Sequence, residues 1–550
     1  MYKCSHCLYF ISFITLFHIY IYVCSCDLEE NIFTVHDQDM FVLIILASAC
    51  LALCITLFAV SRRKTSHKSP PGPCGLPFFG TSLSIDTKHI HLEFDNWNGE
   101  YGDIFVTKLM GKNVCVISNP NLIRKAFESE EFSPLMSDRS PNFMGTYVVY
   151  GYKDVLLRPY DDTFIQMKKI MVDAINHCGF NSPHYVENAN IEFKDVVTQF
   201  LNTNSEPVDP LDILMPSFCN LIAMFYSGSR YTMKDPQLQV VSDFDRYGDQ
   251  MITPKIHATY RLFPWVRGCP GFYGRLFDHV IQRRADLMEM FVKDMKSSYN
   301  KNDIRCFVHA LFKAQEEAYD ENGCHWFTDE HVNGMIMDLI NTSVLTTKAV
   351  MSGTIFLLLH FPKIQENIWN EIQKVIGTER EPTFEDMGSM PYTHAFIFEV
   401  LRYQSHLPLT APHANLKQEV VFEGYTIPKG CVIFGNLYTS HHDPRFYDQP
   451  WEFLPERFLT SEGQVVGPDH PVRQNLIAFG VGKRACVGYN MAINRMFLYT
   501  THLLQSFKLL VPDGTVLQSH HPRDLEFKSP VTMPPAFKCK MVPRNADEKS

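Results

Sequence analysis

Residues 479–488 read Phe-Gly-Val-Gly-Lys-Arg-Ala-Cys-Val-Gly and run directly into a helical pattern from Tyr489 to Phe507. A lone cysteine, Cys486, in a short glycine-bearing loop offers one thiolate, the ligand that pushes electron density onto a haem iron. Gly482 and Gly488 leave room for backbone amides and a flat cofactor to approach the sulfur. Arg484 lies two residues away, and its permanently charged planar fork suits a carboxylate such as a haem propionate. Phe479 can keep water off the sulfur. A lone cysteine is more often a small buried hydrophobe than a ligand. The reading therefore rests on five positions together: Phe479, Gly482, Arg484, Cys486 and Gly488.

The elements that must position this loop can be read from the text around it. Thr328-Asp-Glu-His opens a helix with a cap and an acidic first turn, and the pattern continues to about His360 without a proline. At 1.5 Å per residue that helix is roughly 45–50 Å long, enough to cross a whole domain. Pro362 starts a second helix with Ile364, Ile368, Trp369, Ile372 and Val375 on its apolar side and Gly377 as terminator. A third follows Pro391 and carries Glu399 and Arg402 three apart on one face, a spacing that is usually a solvated surface pair. Residues 101–118 alternate and break at Gly111, a hairpin signature. Strand-like text recurs from Val420 to Val432, and Asp443 to Phe458 is an aperiodic loop holding Arg457. Residues 180–320 read as mostly helical without sharp boundaries. The fold class predicted is mainly α with a small β region.

The 550 residues, 45% hydrophobic and 20% charged, suit one large globular domain plus an anchor. A formal net charge of −10 argues against nucleic acid as a partner. Sixteen cysteines without even spacing, with one Cys-x-x-Cys at Cys4 and Cys7, make neither a disulfide framework nor a zinc site. Residues 1–39 hold an apolar stretch, 8–25, readable as a signal peptide or a first span, and then an acidic loop. Residues 40–60 are an uncharged run long enough to span a bilayer. Arg62, Arg63, Lys64 and Lys68 follow, so the positive-inside rule places the rest of the chain in the cytosol. Residues 61–77 form a basic, proline-rich hinge and 78–550 the catalytic domain.

The loop at 479–488 resembles the haem-binding loop of the cytochrome P450 family, and the anchor and hinge are similar to those of its microsomal, steroid- and xenobiotic-oxidising branch. The resemblance implies the P450 fold, haem b (iron protoporphyrin IX) with Cys486 as axial iron ligand, and insertion of one oxygen atom of O2 into a hydrophobic organic substrate (steroid, sterol, lipid or xenobiotic). It implies electrons from NADPH through NADPH–cytochrome P450 reductase, with cytochrome b5 as an optional further partner, at the endoplasmic reticulum membrane. Carried over residue by residue, Glu399, Arg402 and Arg457 match the family's Glu–Arg–Arg cluster, a structural role. His413 matches its propionate-contacting histidine. Thr346 matches the threonine that organises oxygen and water. Lys483 with Lys168 and Lys169 would make a basic patch toward the reductase.

Two departures stand out. Phe164 and Lys168 occupy the places of a tryptophan and an arginine, so the indole donor is lost and Lys168 holds a propionate as a point charge only. Leu345 stands where the family has a carboxylate beside the threonine, and Thr342-Ser343 replace its small pair. Oxygen activation needs protons, which leucine cannot relay. Asn341, Thr342 and Ser343 are expected to hold water there instead, and Thr346 has the competing role of bonding its own i−4 carbonyl. Asn341, Thr342, Leu345, Leu407, Leu409 and Thr410 are expected to line the substrate cavity. Two alternatives stay open: a P450-fold isomerase, dehydratase or peroxide-using enzyme that needs no relay, and a haem-binding protein without turnover.

Overall fold

The computed structural model describes residue 48 and residues 68–544, apart from residues 233, 320–322 and 529. The apolar segment 8–25, nearly all of the expected span at 40–60 and the basic stop at 62–64 lie outside the described residues. The prolines of the expected elbow do not hang free. The Pro71 carbonyl accepts from the Val106 N–H at 2.8 Å, and Leu76 bridges Gly80. Residues 69–80 therefore run along the first sheet.

The long helix is α9, Asp329–His360, and the rest of the domain packs around it. It follows α1 (Ile90–Tyr101), β1 (Ile104–Leu109), β2 (Lys112–Ile117), α2 (Pro120–Glu128) and α3 (Asp162–Cys178). Then come α4 (Pro183–Leu201), α5 (Pro210–Ser227), α6 (Pro236–Ile252), α7 (Phe272–Met288) and α8 (Phe307–Glu317). After it come α10 (Pro362–Val375), α11 (Pro391–Gln404) and α12 (Tyr489–Ser506). Helix α9 begins at Thr328, whose N–H is accepted by Nδ1 of His331, and two carboxylates sit in its first turn. Met335, Ile336, Met337, Ile340 and Val344 are buried within one large core shared with α5, α8, α10, α11 and α12. Its apolar composition would suit a membrane, but its burial on nearly every side marks it as the core helix of the domain.

The main sheet is small and runs β1-β2-β6-β3, with β3 at His413–Ala414 and β6 at Val432–Gly435. The expected hairpin at 101–118 forms β1 and β2 in antiparallel register, Ile104 opposite Ile117, around Met110-Gly111. The strand-like run from Val420 divides into β4 (Val420–Phe422) and β5 (Tyr425–Ile427) at Glu423-Gly424, both with positive φ, a tight turn that lets the two short strands pair. Further hairpins and pairs come from β7 (Phe507–Leu510), β8 (Glu526–Lys528), β9 (Val531–Met533) and β10 (Lys540–Pro543). Helix outweighs strand throughout, as the sequence predicts.

Candidate active site

Cys486 is held at the mouth of α12 by its own loop. Its N–H bonds the Phe479 carbonyl at 2.9 Å, closing the turn that presents the sulfur. Gly482 has φ +72°, and a Cβ there would lie 1.8 Å from the Phe127 carbonyl, so glycine is required where the loop meets α2. Gly488 caps α12, and Phe479 packs edge-on against Tyr489 at 4.7 Å. Cys486 keeps accessible surface, while the protein around it pushes its thiol pKa up. The Gly488 N–H and the Lys168 ammonium pull the other way, toward thiolate.

Around this loop the structure gathers cations. Arg484 donates to the carbonyls of Ser137 (3.0 Å), Val155 (2.9 Å) and Arg158 (2.6 Å), and its guanidinium lies 3.6 Å over the Phe164 ring. Burial lowers it to about 10, so it remains charged at neutral pH. Lys168 Nζ donates to the carbonyls of Lys483 (2.8 Å) and Ala485 (3.3 Å) and so braces the cysteine loop, while Lys169 and Lys483 are exposed. Burial lowers Lys168 to about 8. Phe164 thus supplies a ring under Arg484 where an indole N–H was missed.

One residue escaped sequence reasoning. Arg139 is buried and donates to the carbonyls of Leu156 (2.9 Å), Ala411 (3.0 Å) and Pro412 (2.7 Å). Burial, and then the like charge of Arg484, lower its pKa. An arginine alone in irregular text, Ser137-Asp-Arg-Ser140, gives no periodicity that would betray its burial. Beside these two guanidiniums His413 stacks on Phe127 with ring centroids 3.9 Å apart. Neither of its buried ring nitrogens has a hydrogen-bond partner, the Ala411 carbonyl being too poorly placed. Burial and the two arginines hold the ring neutral. A buried and a half-buried guanidinium with an unsatisfied histidine, next to the loop that carries Cys486, fit a flat metal group that carries carboxylates. Haem meets that demand.

On α9, Thr346 Oγ1 donates to the Thr342 carbonyl at 2.6 Å, and Thr342 Oγ1 to the Asp338 carbonyl at 2.7 Å. Both hydroxyl protons are used along the helix, leaving the oxygens as acceptors. Ser343 accepts from Nη1 of Arg495 on α12 at 2.6 Å, a partner with no counterpart in the sequence reading. Asn341 turns toward α6, its Oδ1 facing Gly248. Leu345 is buried in an apolar patch with Ala349, Val531, Ile252, Met533 and Leu407. Leu409 and Thr410 do not join that patch. Leu409 packs on Phe94 and Phe105 beneath the sheet, and Thr410 Oγ1 accepts the Gly435 N–H at 2.9 Å.

Glu399 and Arg402 are not a solvated surface pair. Both are fully buried, joined by two 2.7 Å bonds, with Arg457 Nε 3.3 Å from the same carboxylate. Arg402 also donates to the carbonyls of His441, Pro450 and Glu452, tying α11 to the aperiodic loop.

The sequence profile of the family described as cytochrome P450 matches residues 70–539. Chicken (Gallus gallus) cytochrome P450 1A5 is 28% identical over 491 residues, 86% of this chain and 90% of its own length. Human cytochrome P450 1A2 is 27% identical over 485 residues, covering 86% and 92%. Mouse (Mus musculus) cytochrome P450 2C29 is 27% identical over 517 residues, 92% of this chain and all of its own. With a match across most of the chain and a thiol loop, cation cluster and core helix that fit haem, the chain belongs to the cytochrome P450 family and is a haem-thiolate monooxygenase.

Proposed function

We propose that this enzyme oxidises an apolar organic molecule that reaches the patch around Leu345, with electrons from NADPH delivered by a membrane-bound flavoprotein reductase and cytochrome b5 as a second donor. Haem held by Cys486 supplies the oxygen-activating chemistry. Arg139, Arg484 and His413 would hold its carboxylates, and Lys168 would brace the cysteine loop and favour the thiolate by its charge. Thr346 offers an acceptor oxygen toward the substrate side of α9, and Ser343 is fixed by Arg495. Leu345, Ile252, Leu407 and Met533 exclude water from that side. The expected anchor at 40–60 would place the domain on the cytosolic face of the endoplasmic reticulum, with Lys169 and Lys483 exposed for the reductase.

The observation carrying the reading is the buried His413, with neither ring nitrogen bonded, beside the Arg139 and Arg484 guanidiniums and the loop of the accessible Cys486 thiol. The test is the full-length protein with reductase and a panel of sterols and planar aromatics. The ferrous–carbon monoxide spectrum is recorded first, then NADPH, peroxide and product together. Product matching NADPH supports the reading. Conversion of a hydroperoxide without NADPH or reductase would transfer it to a peroxide-using or isomerase reaction, which the apolar setting of Leu345 favours.

A further inference from the structure

Between α9 and the loop 152–158 lie two buried carboxyl groups that no role above uses. Asp338, one turn before Thr342, is 5% exposed and Asp154 is 0% exposed. Asp338 Oδ2 accepts the N–H groups of Val155 (2.7 Å) and Leu156 (3.0 Å), and Asp154 Oδ2 accepts that of Leu157 (2.7 Å). Asp154 Oδ1 has no hydrogen-bond partner, and the two aspartates accept from three consecutive amides of one loop, Val155 to Leu157, which sets their carboxyl groups side by side. Two bare carboxylates side by side without solvent repel strongly, so a proton belongs between them. Gly334 permits the close approach, since a Cβ there would lie 2.1 Å from the Lys153 carbonyl.

The same short loop turns its other side to the cofactor-facing cations. The carbonyls of Val155 and Arg158 accept from Arg484, and that of Leu156 accepts from Arg139. Acid pair, peptide units and guanidiniums are thus stacked in series across one stretch of backbone. We propose that Asp154 and Asp338 form a proton-sharing pair that positions Arg139 and Arg484 for the carboxylates of the cofactor and takes up a proton when those carboxylates arrive. This rests on the haem reading above.

The sign follows from Coulomb's law. Unscreened guanidiniums favour an ionised pair, whereas carboxylates arriving against them cancel that field and raise the pair's affinity for a proton. The proton comes from bulk water and forms one O–H bond, and no electrons move. By reciprocity, removing the proton at high pH loosens the hold on the cofactor. The charged and titratable groups facing the pair are Arg484 and Arg139, Asp138 and Asp161 beyond Arg484, and Tyr226 from α5. Burial raises both aspartates above the usual carboxylate range and keeps Tyr226 a neutral phenol.

The test compares full-length, haem-loaded wild type with Asp154→Asn and Asp154→Ala. Haem transfer to excess apomyoglobin is followed from pH 6 to 9, with the infrared carboxylic-acid band recorded separately. Wild type is expected to lose haem about tenfold faster across that range, one unit of linked pKa. Asp154→Asn can donate to Asp338 and accept from Leu157 as the protonated pair does, so its loss is expected to be slow and flat with pH. Asp154→Ala, lacking the bridge, is expected to be fast throughout. Asp154→Asn is also expected to lose an infrared band present in wild type. A wild-type pH slope retained in Asp154→Asn, or no carboxylic-acid band in wild type, overturns the proposal. Protein purified without any haem–thiolate spectrum would overturn the cofactor reading and the linkage together, while the infrared band alone still decides whether the aspartates share a proton.

Discussion

Replacing Arg402 with methionine removes the guanidinium that pairs with Glu399 and strips donors from the carbonyls of His441, Pro450 and Glu452. Glu399 would remain fully buried with its charge. Breaking a buried pair on one side costs about 3–5 kcal/mol, and the Arg457 contact at 3.3 Å and the Leu454 N–H at 2.9 Å place this case at the lower end, about 3 kcal/mol. Unfolding entropy of about 2.1 cal/mol/K per residue gives roughly 1 kcal/mol/K for a domain of this size, so the melting temperature is expected to fall by about 3 °C. Scanning calorimetry on the haem-loaded protein measures it. The double variant Glu399→Gln, Arg402→Met leaves no unpaired charge and is expected to recover part of the loss. A double variant no more stable than the single would show that the lost carbonyl contacts at His441, Pro450 and Glu452 carry the cost and refute the charge argument.

Gly482→Ala forces a Cβ onto the Phe127 carbonyl at a left-handed backbone, so the protein is expected to fold with little haem, read as a lost thiolate band in the ferrous–carbon monoxide spectrum. His91 is 0% exposed with neither ring nitrogen bonded, so His91→Phe is expected to stabilise by about 1–3 kcal/mol in urea titration. His91, His331, His394 and His406 are each lowered to about 4, chiefly by burial. Between pH 6.5 and 4 the unfolded chain binds protons these folded sites refuse, so stability is expected to fall with pH across that window, less steeply in His91→Phe. Leu345→Glu places a carboxyl among Ala349, Val531 and Met533. If protons are limiting, product per NADPH rises in that variant, and if the patch serves packing, both product and haem content fall.

What could be read in the sequence follows from how locally each feature is encoded. The cysteine loop depends on glycine conformation and adjacent residues, so five positions announce it. Helices α9, α10 and α11 begin at a cap or a proline, and their apolar faces repeat over many turns. The middle helices carry similar signals, Ser182-Pro183, Asp209-Pro210 and Asp235-Pro236, each an N-cap followed by a proline at the first helical position, but amphipathic text on both sides hid their ends. Arg139 and Asp154 were invisible because their partners are backbone carbonyls and amides, or a side chain 184 residues on, and neither has a sequence signature. The contacts of Lys168 are hidden for the same reason: it donates to two carbonyls of a loop more than 300 residues away.

The departures at Leu345 and Thr342-Ser343 in α9 and the proton-sharing pair bear on one another. Leu345 is embedded in apolar partners from α6, β9 and the segment after α11, so a carboxylate there would be desolvated on every side. Beyond the two carboxylates of its first turn, this helix carries a carboxyl group at Asp338, on the same face as Thr342 and Thr346 at i, i+4 and i+8. Asp338 is spent on the loop that steadies Arg139 and Arg484, and the hydroxyls of Thr342 and Thr346 are spent on their own backbone. Proton supply to the substrate side therefore has to come through water against neutral groups or from the substrate itself. A substrate bearing a hydroxyl near its site of oxidation is expected to couple NADPH to product more tightly than its deoxy analogue. Equal coupling for the two would show that the chain supplies its own protons despite Leu345.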